Sequence, residues 1–314
     1  MAHVNLSMDA ARFAAAVGKA PHDLADHPLF SDEQLARLLD AIPRSNLQVF
    51  SMGTDAARTS EWRRGTPGDL AGAELLDAAR RGRLWFNVLR VHEVDRPMAA
   101  LLEELFADLQ AAVPGLTVLE KRATLLISSP GAQVYYHADA QPNLLWHVRG
   151  AKRVWVYPAL DERFAHRDAL GRLFTGEADE QLPYEPAWDA DAQVVELAAG
   201  EVAWWPQNAP HRVVNTAGLN VSLSTEFTTA STNRRVNVRA AEHVARSRLR
   251  LPARAGSVDS PLSSVKSLAY RAGRKAGLLK NANAERPLTF QVSREDARGY
   301  VDLAAPQAAG APGA

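Results

Sequence analysis

The 314 residues include no cysteine. That excludes disulfide scaffolds, zinc ribbons, thiolate-held clusters and cysteine nucleophiles together. Long hydrophobic runs are missing too: no stretch approaches the ~20 apolar residues that a membrane span needs. Neither charge sign dominates. Lys plus Arg is 36 and Asp plus Glu is 36, a formal net charge of zero, which argues against a nucleic-acid coat or a polyacidic tail. The start, MAHVNLSMDAARFAAAVGKA, has no basic segment leading into a long apolar run. No signal peptide is expected, and a reducing cytoplasm is the default location. GxSxG, the P-loop pattern and GxGxxG are all missing, and no internal repeat is found. What is present is ordinary for a globular chain, 46% hydrophobic and 23% charged. It is long enough for one large domain or two small ones with a core that needs no staples.

Residues 1–120 read as an α/β region. Ser7 to Ala20 carries Ala, Phe and Val at helical spacing. Ser31-Asp-Glu-Gln34 has the form of a capping box, with Leu35, Leu38, Leu39 and Ile42 following at helical intervals. Asn46 to Ser51 and Arg83 to Val91 are strand candidates. Asp69 to Arg81 and Arg96 to Val113 are helix candidates, the latter stopped by Pro114-Gly115.

The texture changes over 121–230. Eight short runs rich in strand formers are separated by Gly, Pro and Asn: 123–128, 133–137, 144–149, 153–157, 194–197, 201–205, 211–215 and 220–227. That spacing suggests a barrel or jelly roll, with Gly150-Ala151 as a tight connection. Residues 159–192 have few strand formers and many charges. They are expected to be a long insertion near the barrel mouth. Residues 231–303 read as a basic helical extension. Between Arg234 and Lys280 there are twelve Lys or Arg, opposed only by Glu242 and Asp259. Ser263 to Lys280 is a basic helix candidate interrupted by Gly273 and Gly277. The Ala/Pro/Gly tail 304–314 is expected to be disordered.

Two of the nine histidines stand out. His137-Ala-Asp139 closes a strand, and alternation puts positions 137 and 139 on one face, roughly 6–7 Å apart. An imidazole nitrogen and a carboxylate oxygen there can converge on one metal ion. His211 is the best candidate for a third ligand, because it opens a strand after Gly200-Glu-Val-Ala-Trp-Trp-Pro-Gln-Asn-Ala-Pro. Two histidines and one carboxylate on one face of an octahedral ion leave three sites open, as in non-haem Fe(II) oxygenases. Lys152 is the next candidate. Alternation places it on the face of Val154 and Val156, where an ammonium is costly to desolvate without an anion; the alternative is a turn lysine in solvent.

The run His137-Ala-Asp139-Ala-Gln-Pro-Asn143-Leu-Leu-Trp-His-Val-Arg-Gly150-Ala-Lys152-Arg-Val-Trp-Val-Tyr-Pro158 resembles the core of JmjC and cupin-like Fe(II)/2-oxoglutarate-dependent oxygenases. The asparaginyl hydroxylase that inhibits the hypoxia-inducible factor is the pattern it follows. The resemblance implies a mainly β fold, a double-stranded β-helix (jelly roll) with an α/β N-terminal region and a helical C-terminal extension. It also implies Fe(II), 2-oxoglutarate and O2 as cofactor and cosubstrates. His137, Asp139 and His211 fall on the iron-ligand positions, Lys152 on the position that pairs with the distal carboxylate of 2-oxoglutarate, and Asn143 on one that helps hold that cosubstrate. Val134 stands where the family enzyme has a threonine hydroxyl, and Ser224 roughly where it has a second asparagine. Tyr135, Ser128 and Ser222 are the candidates to complete the carboxylate pocket.

The activity implied is hydroxylation of a C–H bond in a protein side chain or small molecule, with release of succinate and CO2. Two alternatives belong to other classes: a non-oxidative cupin that binds a metal or ligand, and a nucleic-acid-interaction module using the basic segment. The near absence of aromatics there, Tyr270 apart, argues against stacking on single strands. A homodimer through the C-terminal extension is the other partner considered. His147 reads as a packed or substrate-side residue, and His166 as exposed. Trp204 and Trp205 alternate faces, so one belongs to the core and one edges the pocket.

Overall fold

In the computed structural model of the chain the middle third forms strands, but fewer and longer ones than eight. The structure describes residues 3–4, 6, 8–248, 250, 261–276 and 286–308. In chain order the strands are β1 (Gly18–Pro21), β2 (Leu47–Ser51), β3 (Arg63–Thr66), β4 (Leu84–Val88), β5 (Glu120–Ser128), β6 (Gln133–His137), β7 (Asn143–Val156), β8 (Gln193–Ala198), β9 (Glu201–Trp204), β10 (His211–Thr228), β11 (Leu288–Val292) and β12 (Tyr300–Gln307). The helices are α1 (Ala10–Ala15), α2 (Asp32–Ala41), α3 (Gly72–Arg81), α4 (Val91–Val94), α5 (Arg96–Ala112), α6 (Arg167–Thr175), α7 (Ala230–Ser247) and α8 (Pro261–Lys275). None of the described helices is long and apolar enough to cross a membrane.

Two of these strands organise the barrel. β7 and β10 run antiparallel along most of their length, from Glu226 opposite Asn143 to His211 opposite Val156. Each turns a corner midway. The first half of β7 pairs with β9 and its second half with β8. β10 pairs with β6 near His211 and with β5 beyond Asn220. The runs expected to be separate strands on either side of Gly150 are therefore one bent strand. Gly150 makes the bend possible. Its φ is +86°, and a Cβ there would sit 2.7 Å from Asn220 Nδ2 and 2.8 Å from the Leu219 carbonyl oxygen, so only glycine fits the corner.

The remaining strands extend one side, in the order β1-β9-β7-β10-β5-β4-β2-β3-β11-β12. Helices α2, α3 and α5 cover this sheet. Leu35, Leu39, Leu75, Leu105 and Leu109 are fully buried with Phe86, Leu125 and Val221. Each such side chain contributes about 1.5–3 kcal/mol of burial. Ser31 caps α2 by accepting from Gln34 N–H.

Three expectations change. The helix read over 7–20 is shorter, and Ser7 lies outside the described residues. α1 stops at Ala15, and Gly18–Pro21 instead pairs with β9, because Gly18 packs where a Cβ would meet the Trp204 ring at 2.3 Å. The C-terminal extension has its two helices, and beyond them β11 adds to β3 in parallel, followed by β12. The tail read as disordered from Ala304 continues β12 through Gln307; residues 309–314 lie outside the described set, as do Arg254, Asp259, Gly277 and Lys280 of the basic segment.

The 159–192 segment docks on the outer face of the barrel. Tyr136, Tyr157, Phe164, Tyr184 and Trp188 form one aromatic cluster. Asp189 is held there by Arg212, Tyr157 and Tyr184. Arg212 itself lies 3.4 Å over the Trp155 ring. The segment then returns along β6, with Ala138 N–H donating to the Glu180 carbonyl at 3.2 Å and Leu182 N–H to the Tyr136 carbonyl at 3.1 Å.

Candidate metal centre and its cavity

His137 ends β6 and His211 opens β10, directly opposite each other in register. Asp139 follows two residues after His137. Strand pairing thus delivers three side chains from distant parts of the chain to one point. Their ligand atoms all lie within 4.8 Å of one another. His137 Nε2 is 3.8 Å from Asp139 Oδ1, and His211 Nε2 is 3.7 Å from Asp139 Oδ2.

Hydrogen bonds fix which nitrogens face inward. His137 Nδ1 lies 2.8 Å from the Tyr135 carbonyl and His211 Nδ1 3.1 Å from the Ala209 carbonyl. A carbonyl only accepts, so each Nδ1 carries a proton and each Nε2 is the ring nitrogen turned toward Asp139. Burial and then the neighbouring His137 push His211 down to about 4, which keeps it neutral at physiological pH. Two imidazoles with their Nε2 atoms turned inward and one carboxylate are the donor set a divalent first-row metal takes.

Asp139 is itself held. Asn143 Nδ2 donates to its Oδ2 at 3.3 Å, and Ser224 Oγ donates to Asn143 Oδ1 at 3.0 Å. Asn208 Nδ2 donates to the Asp139 backbone carbonyl at 2.7 Å, and Gln207 Nε2 to that of Ala140 at 3.0 Å. Asn208 takes a φ of +64° to do so. These last two were not singled out from the sequence; the Pro-Gln-Asn-Ala-Pro turn was the available signal.

The three groups open into a cavity of about 650 Å³ inside the barrel. Lys152, 4% exposed, lines the same cavity. Its Nζ donates to Ser222 Oγ at 2.9 Å, and Ser222 Oγ is 2.9 Å from His147 Nδ1. No carboxylate lies within ion-pair distance of Lys152 among the described residues. Burial alone brings its ammonium down to about 7. Of the three hydroxyls considered for this pocket, Ser222 is the one bonded to Lys152. Ser128 Oγ accepts from Asn215 Nδ2 at 2.8 Å, and Tyr135 Oη accepts from Gly53 N–H at 3.2 Å. Asn143, which also lines the cavity, donates to Asp139. His147 is fully buried behind Ser222 and takes no place among the three converging ligand groups. His166 is exposed. Trp204 packs in the core, and Trp205 lines the cavity with its ring 4.5 Å from that of His211.

Acid groups crowd the other side. Burial and then Asp139 push Glu226 up to about 7. Glu180 also lies above its ordinary range, from loss of bulk water and then from Asp139, Glu226 and Asp179. A cation among the His137, Asp139 and His211 donors would offset that repulsion. Arg286, from the C-terminal segment, closes the rim by donating to the Trp62 carbonyl at 3.1 Å, to Asp179 at 2.8 Å and to Gln181 Oε1 at 2.9 Å; no local pattern marks it in the sequence.

The sequence matches no protein-family profile and no curated protein. Solved structures do match. YcfD of Escherichia coli aligns over 87% of this chain and 69% of its own, with 17% identity and a TM-score of 0.51. The fold is that of YcfD. A second YcfD structure, described as a ribosomal oxygenase, aligns over 87% of this chain and 68% of its own at 17% identity and a TM-score of 0.47. A third holds cobalt and 2-oxoglutarate; it covers 78% of this chain and 59% of its own at 19% identity and a TM-score of 0.44. At these identities the likeness to YcfD is one of fold. The likeness to the asparaginyl hydroxylase stays a reading of residues 137–158.

Proposed function

We propose that the chain is an Fe(II)- and 2-oxoglutarate-dependent oxygenase that hydroxylates a C–H bond of a protein side chain or small molecule. One observation carries this reading: His137, Asp139 and His211 converge with both Nε2 atoms turned inward, in a cavity that also holds a buried, carboxylate-free lysine. His137 Nε2, a carboxylate oxygen of Asp139 and His211 Nε2 would hold the ion and leave half its coordination sphere open. Lys152 and Ser222 would hold the distal carboxylate of the cosubstrate. Iron and 2-oxoglutarate together supply the oxidising power, with succinate and CO2 as co-products.

The chain's own contribution is placement. The backbone carbonyls of residues 135 and 209 lock the imidazole tautomers. Asn143 and Asn208 orient Asp139. The barrel walls and the 178–181 return strip water from the reacting centre, while the ammonium of Lys152 sets which way a dicarboxylate enters. The homodimer read for the C-terminal extension fits α8, where Leu262, Val265 and Leu268 are each more than 60% exposed on one helix. Leu262→Glu with Leu268→Glu should then halve the mass seen by light scattering; an unchanged mass would remove the proposal.

The test of the activity is iron-dependent release of succinate from 2-oxoglutarate. Wild type should release it, and His137→Ala and Asp139→Ala should not. Iron bound without any succinate would favour the non-oxidative cupin reading.

A further inference from the structure

Asn143 and Trp205 form a wall with two sides. Beyond it lies a separate cavity of about 310 Å³, enclosed by α1, the barrel and the start of α7. Its body is apolar, built from Phe13, Leu116, Trp204 and Phe227, with Phe13 stacked on Trp204 at 5.4 Å. Its rim is polar and positive. The first turn of the 18-residue α7 lines it, so the positive end of a long helix faces the opening. Arg235 stands one turn further on. It donates to Gln207 Oε1 at 3.2 Å, and no carboxylate lies within ion-pair distance of it among the described residues.

We propose that this cavity binds a small monocarboxylic acid with an apolar body. The carboxylate sits between Arg235 and the first turn of α7, and the hydrocarbon lies against Phe13, Trp204 and Phe227. Size follows from volume. At ~30 Å³ for each water-sized group, the space takes a ligand of roughly ten non-hydrogen atoms. The apolar body offers no second cation, so a dicarboxylate such as 2-oxoglutarate is poorly matched. This site is independent of the catalytic reading.

The experiment is calorimetric titration of the full chain with octanoate, and with 1-octanol as the uncharged analogue. Octanoate should bind saturably, at least about tenfold more tightly than the alcohol. Arg235→Gln should weaken octanoate at least about tenfold. Ala14→Phe, at an exposed position that lines the cavity, should abolish binding with the fold intact by circular dichroism. Lys152→Met, which removes the rival anion site, should leave octanoate affinity unchanged. No saturable binding, equal affinity for acid and alcohol, or loss of binding in Lys152→Met alone would overturn the proposal.

Discussion

Replacing Lys152 by Met should make the ligand-free protein more stable, and most so at low pH. The ammonium is buried with a single hydroxyl partner, so folding works against its charge. An ordinary lysine titrates at 10.5; burial brings this one to about 7. Between those two pH values the unfolded chain holds a proton that the folded chain gives up. Stability arising from this group therefore rises with pH across the window 7 to 10.5, and the full penalty stands below 7. The gap corresponds to roughly 5 kcal/mol at about 1.4 kcal/mol per pH unit. Methionine has a similar length and no charge, and the valines beside it, Val154 and Val156, are already apolar. Urea denaturation of both proteins without cosubstrate should show the variant more stable by about 2–5 kcal/mol at pH 6. That advantage should shrink toward zero by pH 10. 2-Oxoglutarate should stabilise the wild type with proton uptake near pH 8, and should not stabilise the variant. A variant less stable than wild type at pH 6, or an advantage that grows with pH, would refute the account of Lys152.

Asn143→Ala should lower Fe(II) affinity about 10–100-fold, measured by anaerobic titration, by freeing the Asp139 carboxylate; the folded content should hold. Gly150→Ala should cost roughly 2–4 kcal/mol in thermal or urea unfolding, because its backbone is left-handed and its neighbours there include main chain. Asp189→Asn should loosen the 159–192 segment from Arg212, seen as faster proteolysis within it. The Asp189 carboxyl is held below its ordinary value by Arg212, Tyr157 and Tyr184 against the opposing effect of burial. Its contribution is accordingly present above the usual carboxylate range and lost as pH falls, so the wild-type segment should itself become protease-sensitive in acid.

The face that carries the three converging groups was legible because its information is local. Alternation put His137 and Asp139 on one side of a strand, and a Pro-flanked turn announced His211. The corner glycine was also visible, but it was read as a break where the chain in fact bends without stopping. What escaped was non-local. β11 pairs in parallel with β3 across more than two hundred residues, and neither short run signals a partner. Gly18–Pro21 was lost to the helical bias of an Ala-rich stretch; packing on Trp204 overrides that bias. Asn208 and Arg286 act through hydrogen bonds to residues far away in the chain. The roles of Asn143 and Ser222 turn on which neighbour each side chain meets, and spacing along the chain does not carry that.

The central claim is that three protein groups grip one ferrous ion and leave the rest of its shell open. X-ray absorption on the anaerobic Fe(II)-loaded protein tests it most directly. The account predicts a six-coordinate nitrogen/oxygen shell with two imidazoles, falling to one in His211→Ala, and replacement of bound water when 2-oxoglutarate is added. A closed four-coordinate shell, or a spectrum unchanged by His211→Ala, would contradict it.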